Sequence, residues 1–288
     1  MVFIDRHSGI REVDGDYLEW LDELVSDDLP DLRTSARRTL GMAKNTSLTR
    51  CLARSVVDPR ASKFESWDAW VTATQMGTAL FDVARVSEGE VVCRIAHEDR
   101  TIPATGPQHY NHVGNWLDAF WLSLVTRDLK RMTRLAEFPL DAMRQEGEGI
   151  EVDAFQYSWV DTLQTWWAER HGLVEKLTAT LEESHPDRAV IAGAEMVDRI
   201  LYPPIRLFYC YLRQDREQFQ EALVEALEFH KQYWTADEDR VQQLDGTVAL
   251  GPLAMACLAF DAGWDIGVES EYLPHFLLNR TWVGEFDT

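Results

Sequence analysis

The residues best suited to bind a metal ion are two histidines three positions apart, His109 and His112. A helix through this stretch would place both imidazoles on one face. A metal site needs further ligands, and Asp118 is the only acid close to them in the sequence, with no cysteine nearby. We therefore expect a structural use for these histidines, such as capping or partial burial. The sequence predicts no metal ion and no cofactor.

Signatures of catalysis are missing from the sequence. It has no glycine-rich phosphate loop and no Gly-x-Ser-x-Gly turn, and no second histidine follows His97-Glu98 at the spacing of a zinc protease. We therefore assign no catalytic residue and predict that the protein is not an enzyme. The alternative is an enzyme with an unrecognised helical active site. A buried acidic or histidine cluster in a deep pocket would favour that alternative.

An acidic turn follows Trp234 and contains Asp237, Glu238 and Asp239. Thr235 and Glu238 match the Thr-x-x-Glu capping box, and acids in a first helical turn interact favourably with the helix dipole. A structural explanation is therefore available. The functional alternative is an anchor for a basic partner, because aromatic residues rimmed by charge dominate binding energies. The candidate partner-binding residues of this turn are Trp234, Asp237, Glu238 and Asp239.

A second candidate for partner binding is Tyr202, which precedes Pro203 and Pro204. The two prolines most simply mark the start of a helix, where their missing N–H groups cost nothing. Alternatively, a rigid turn at the prolines could present Tyr202 to a ligand.

The overall charge limits the kinds of partner. The chain has 28 Lys and Arg against 49 Asp and Glu, a net charge of −21. This charge opposes binding to nucleic acid and to anionic membranes. It indicates either solubility alone or a surface that attracts a basic protein, and charge by itself does not separate the two.

The N-terminal region divides into an acidic and a basic segment. Residues 1–29 contain nine acids and two bases, whereas residues 31–60 contain two acids and seven bases. The pattern predicts two helices that pack on each other with complementary charges. A basic docking patch is the functional alternative.

Several features indicate a cytoplasmic protein. Cys51, Cys93, Cys210 and Cys257 are far apart in sequence and lack the spacing of metal or redox sites, so we expect buried thiols in a reducing compartment. The first residues lack an apolar segment of signal-peptide length. The longest apolar run, residues 248–260, is too short to span a bilayer.

Helical periodicity extends over nearly all of the chain. Apolar residues recur at three- and four-residue steps, as in Phe219 to Trp234 and in the stripe of Trp159, Leu163 and Trp167. Short polar turns separate such stretches, so the sequence predicts an all-α array of antiparallel αα-hairpins with tetratricopeptide-like stacking. One small β-hairpin is expected near residues 90–102. We predict a single elongated helical domain over residues 1–288, with a candidate subdomain boundary near residues 145–153.

Seven separated phrases together resemble the bacterial immunity protein 49 family, in the order in which that family has them. None of the phrases is a chemical signature, and the resemblance extends over roughly residues 50–288. The phrases are Ser66–Ala73, Thr101–Pro107, Gly114–Leu122, Leu201–Pro204, Tyr233–Arg240, Gly246–Leu253 and Glu271–Pro274.

The resemblance implies a cytoplasmic antidote of a polymorphic toxin system, which protects the producing cell by binding a toxin delivered between competing bacteria. It implies no particular binding residues. A toxin that attacks nucleic acid has a basic cleft, so an acidic antidote would associate faster by electrostatic steering. The alternative is a helical scaffold of tetratricopeptide type that mediates regulatory protein–protein interactions.

Overall fold

The computed structural model describes residues 1–144 and 151–286, and 64% of it is helical. Most consecutive helices pack on each other along the chain, and the predicted all-α array is confirmed. A π-helical turn, Val197–Leu201, joins two of the helices, and 3₁₀ turns occupy Leu140–Met143, Pro186–Arg188 and Leu244–Thr247. The helices are α1 (Gly15–Val57), α2 (Phe64–Ala84), α3 (Val113–Thr126), α4 (Leu129–Ala136), α5 (Ala154–Trp167), α6 (Leu173–Glu183), α7 (Ala194–Met196), α8 (Tyr202–Leu212), α9 (Arg216–Trp234), α10 (Glu238–Val241), α11 (Leu250–Asp261) and α12 (His275–Leu278).

The first helix contains the predicted acidic and basic segments. Its backbone leaves the helical region at Ser35, with φ −136° and ψ 31°. Asp22 forms ion pairs with both Arg50 and Arg54, although a straight helix would separate positions 22 and 50 by about 42 Å. The two halves of α1 therefore fold back on each other, which confirms the predicted packing of complementary charges.

Four short strands form two separate pairs. The strands β2 (Glu90–Ile95) and β3 (Glu98–Pro103) form the predicted antiparallel hairpin. Its turn residues Ala96 and His97 have positive φ values of 50° and 67°, as a two-residue hairpin loop requires. The strands β1 (Val2–Ile4) and β4 (Val268–Ser270) pair in parallel, which the sequence analysis did not predict.

The core is built from the predicted apolar stripes. Trp159 is 2% exposed and Leu163 is fully buried, while Trp167 is half-buried and donates its indole N–H to the hydroxyl of Thr133. All four cysteines are buried thiols, as predicted. Core residues on both sides of residues 145–150 belong to one continuous cluster. Residues 145–150 of the candidate boundary lie outside the described part of the chain, and the boundary stays a prediction.

The apolar run of residues 248–260 lies within a longer stretch, Leu244–Asp261. By length and composition alone, this longer stretch could cross a membrane. It includes α11, and 72% of the stretch is buried inside the structure. Such burial is typical of a helix in a protein core.

Candidate protein-binding surface

The acidic turn after Trp234 is built differently from the prediction. Helix α9 ends at Trp234, and the Thr235 hydroxyl donates to the carbonyl of Lys231 instead of capping a new helix. Asp237 is the N-cap of α10, and its carboxylate accepts hydrogen bonds from two backbone N–H groups at 3.1 and 2.8 Å. The predicted capping box of Thr235 and Glu238 is therefore wrong, because a better acceptor two residues later begins the helix.

The three acids of the turn are exposed, and one of them is paired. Asp237 contacts the guanidinium of Arg240 at 3.0 Å, and Arg240 also pairs with Glu195 at 3.0 Å. Within the described residues we find no ion pair for Glu238 or Asp239. Two carboxylates of the turn are therefore available to a partner.

Trp234 is partly buried and packs against residues outside the acidic turn. Its ring packs so closely on Gly246 that an added Cβ there would lie 2.9 Å from the ring and 3.0 Å from His7. The indole N–H is buried without a hydrogen-bond partner among the described residues. The aromatic side chain is therefore used in packing, while the carboxylates of the turn are exposed.

Tyr202 lies in continuous helical backbone, so the suggestion that a rigid turn presents it is wrong. The prolines follow it in the first turn of α8 and are buried. They come directly after the π-helical turn Val197–Leu201, so they lie within continuous helical backbone and do not mark the start of a separate helix. Burial raises the pKa of the half-buried Tyr202 phenol, opposed by nearby Arg206. Arg206 pairs with Glu225 of α9, so Tyr202 belongs to the contact between α8 and α9.

A short segment before α7 carries a feature that the sequence analysis missed. Val190 is 87% exposed and Ile191 is 48% exposed, although both are apolar. Asp153, which precedes α5 and is 5% exposed, accepts hydrogen bonds from the backbone N–H groups of Val190, Ile191 and Ala192 at 2.7, 3.1 and 2.9 Å. Burial raises the pKa of Asp153, but the three N–H donors outweigh it and hold the pKa below its ordinary value.

This segment and the acidic turn form one surface. A cavity of about 630 Å³ beside the segment is lined by Asp187, Glu195 and Asp198, among others. Because Arg240 pairs with Glu195, the turn at α10 is fastened to α7 next to this cavity. We name the whole surface the Val190 face. It comprises Asp187, Val190, Ile191, Glu195, Asp198, Asp237, Glu238 and Asp239.

The signal for this face in the sequence is weak. Val190 and Ile191 lie between two breaks in the helical pattern, and apolar residues outside an amphipathic period are commonly buried in loops. Only the contact with Asp153, which is 37 residues earlier, shows that they are held outward.

A second cavity, of about 390 Å³, lies between the β-hairpin, α2 and α4. Arg131 pairs with Asp128 at 2.8 Å, and Arg134 pairs with Asp82 at 3.1 Å. Burial raises the pKa of Asp82, against the opposing charge of these arginines, and burial raises the pKa of the Cys93 thiol to about 12. Cys93 is therefore not an activated nucleophile. We name this region the paired cavity, lined by Asp82, Arg85, Val91, Val92, Cys93, Arg94, Asp99, Asp128, Lys130, Arg131 and Arg134.

Of the two histidines singled out in the sequence, His112 has a structural role, and His109 is exposed. His112 is the N-cap of α3 and accepts a hydrogen bond from the N–H of Asn115, which confirms the prediction of capping. Asp118 forms an ion pair with Lys44, whose ammonium lies 2.6 Å from the carboxylate. Within residues 1–144 and 151–286, no group of three His, Cys, Asp or Glu side chains is arranged to hold a metal ion.

Two histidines, His7 and His230, connect distant parts of the chain through hydrogen bonds. The Nδ1 atom of His7 lies 2.7 Å from the hydroxyl of Tyr272. His230 of α9 is buried, and its Nε2 atom donates to the carbonyl of Gly246 at 3.1 Å. Burial lowers the pKa of His230 to about 4, so this histidine is neutral at pH 7.

The chain is similar to a known protein family. The family model described as Immunity protein 49 matches residues 58–277. Comparisons with curated proteins and with solved structures give no significant match. The matched residues include the Val190 face and the paired cavity and leave out α1.

Proposed function

The chain belongs to the immunity protein 49 family, and on this premise we propose that it binds and neutralises a cognate protein toxin by stoichiometric occlusion. The family match over residues 58–277 is the observation that carries the proposal. Neutralisation by occlusion needs a rigid surface complementary to the toxin and no chemistry of its own. We propose the cytoplasm as the place of action, which the four buried thiols support.

We further propose that the toxin presents a basic surface to the Val190 face. The net charge of −21 attracts a basic protein over a Debye length of about 8–10 Å at physiological ionic strength. Glu238 and Asp239 are exposed without ion pairs among the described residues, so they are free to contact basic side chains. Such charges raise the association rate more than they lower the dissociation rate.

The test begins with the full chain, tagged and expressed in its source cells. Proteins that copurify are identified by mass spectrometry and expressed alone in a sensitive host. We expect one of them to arrest growth, and coexpression of the chain to restore growth. Calorimetry should then give a defined, stoichiometric complex. If the partners are harmless when expressed alone, the alternative of a helical regulatory scaffold replaces this proposal.

The contribution of charge is tested by reversing it. The double variant Glu238→Lys/Asp239→Lys leaves the cap residue Asp237 in place. We expect its association rate to fall at least tenfold at low salt, and the wild-type rate to decline steeply as salt increases. Glu88→Lys/Glu90→Lys makes the same charge change at exposed acids near the β-hairpin, so it is the matched control. Equal losses in both variants would show that net charge acts without a local contact.

A further inference from the structure

The Val190 face combines exposed apolar side chains with a fixed backbone. Val190 and Ile191 do not pack against the core, whereas Ala189 and Ala192 on either side of them do. The segment is therefore held at both ends while its middle projects into solvent.

A buried charge holds this projection in place. Asp153 is 5% exposed, and its carboxylate accepts from three consecutive backbone N–H groups of the segment. Charge-assisted bonds of this kind are stronger than neutral ones and fix the backbone before any partner arrives. A preformed apolar projection binds without an ordering cost, which is how rigid anchors raise affinity.

The charge around the projection indicates what kind of molecule covers it. Asp187 and Glu195 flank the segment, and the Arg240–Glu195 ion pair connects it to the turn that carries Glu238 and Asp239. Arg188 and Arg199 also lie here, and Arg199 pairs with Glu195, but the acids of the Val190 face outnumber these bases. A second copy of this chain would bring the same acids together, and like charges across an interface oppose association. A partner with basic groups around an apolar pocket is complementary to both parts of the face.

We propose that Val190 and Ile191 are the apolar anchor of the toxin complex, inserting into an apolar pocket on the toxin that is rimmed by lysine and arginine. The proposal rests on the toxin-neutralising function proposed above. Central apolar anchors act on the dissociation rate, whereas charges at the rim act on the association rate. The two contributions are therefore separable by kinetics.

The probe is the toxin protein identified by copurification, carrying an inactivating substitution, with binding to the full chain followed by surface plasmon resonance. The double variant Val190→Ser/Ile191→Ser should raise the dissociation rate at least 30-fold and leave the association rate within about twofold, since no charge changes. Asp153→Asn keeps the size of the side chain but replaces one acceptor oxygen with an NH₂ group. This group donates hydrogen bonds and therefore faces the backbone N–H groups without bonding to them. We expect it to weaken binding about 5- to 10-fold and to speed amide exchange at residues 190–192.

Val174→Ser is the matched control, because Val174 is 73% exposed on α6 and lies outside the Val190 face. Unchanged kinetics in the serine double variant, with wild-type binding and protection intact, would overturn the anchor and leave the proposed function standing. A wild-type chain that neither binds the toxin nor protects cells would instead overturn the function. Thermal melting of each variant confirms that the fold is retained.

Discussion

The paired cavity and the Val190 face both combine charged and apolar side chains, but they differ in what the charges contact. In the paired cavity Arg131 is 4% exposed and Asp128 is 7% exposed, and they bind each other. On the Val190 face the side chain of Asp187 is 89% exposed and Val190 is 87% exposed. The first region uses buried charge to connect the hairpin to α4. In the second, ion pairs such as Asp187–His185 and Glu195–Arg240 are exposed, and the apolar side chains face solvent.

This difference shows how exposure separates structural from functional uses of the same residue types. A buried ion pair is satisfied inside the molecule and offers little to a partner. Exposed apolar residues on a fixed backbone, next to exposed acids, have unused binding capacity. Variants in the paired cavity should therefore change stability, and variants on the Val190 face should change binding.

The largest expected effect is on the paired cavity. Replacing Arg131 with Ala removes the guanidinium partner of the buried Asp128 and the bonds to Thr78 and the carbonyl of Arg94. We expect the free energy of unfolding to fall by about 3–5 kcal/mol, because the buried ion pair and the two other hydrogen bonds of the guanidinium are lost together. Urea denaturation followed by circular dichroism measures the loss.

The matched control is Lys130→Ala at the neighbouring exposed position, which should change stability by about 0.5 kcal/mol or less. A loss below about 1 kcal/mol in the Arg131 variant would show that the paired cavity does not depend on its buried ion pair.

A smaller effect, dependent on pH, is expected at the buried His230 of α9. Because the pKa of His230 is about 4 in the folded protein and 6.5 ordinarily, the unfolded chain binds an extra proton between these pH values. The stability that this histidine contributes is complete above pH 6.5 and is lost as the pH falls toward 4. The shift corresponds to about 3 kcal/mol.

His230→Gln tests this expectation, because the carboxamide still donates to the carbonyl of Gly246 but does not titrate. Between pH 7 and pH 4 the variant should lose about 3 kcal/mol less stability than the wild type, measured by denaturation at each pH. Parallel pH profiles of the two proteins would contradict the depressed pKa.

The cap of α10 should have a still smaller effect. Asp237→Ala removes the acceptor of two backbone N–H groups and should lower stability by about 1 kcal/mol. Glu238→Ala should cost about 0.5 kcal/mol or less, since only a helix-dipole contribution is lost. Thermal denaturation of both variants measures the two losses of stability. A capping box between Thr235 and Glu238 would instead make Glu238→Ala the more destabilising variant.

The smallest effect on stability is expected at the apolar projection itself. Val190→Ala should change the free energy of unfolding by about 0.5 kcal/mol or less, because the side chain is already in water. Denaturation with urea provides the measurement. A loss above about 1 kcal/mol would mean that Val190 is covered in solution, and the two regions would then no longer differ.

Features encoded locally were predictable, and features that depend on distant contacts were not. The stripe of α9, the β-hairpin and the fold-back of α1 follow from periodicity and charge over short segments. The cap at Asp237 was misassigned because Thr235 also matched a capping pattern, and only the backbone shows where α9 ends. The outward position of Val190 depends on Asp153, a contact that leaves no mark on the local pattern.

The pairing of β1 with β4 has a consequence for how the chain acquires its structure during synthesis. Val2 pairs with Val268, so β1 is made about 266 residues before its partner. At a translation rate of about 5–20 residues per second, β1 remains without its partner for roughly 13–50 seconds after it is synthesised. Helical hairpins such as α1 and α2 can pack during that time, because their contacts are local. β1 is therefore synthesised long before β4 but is among the last of these elements to be completed.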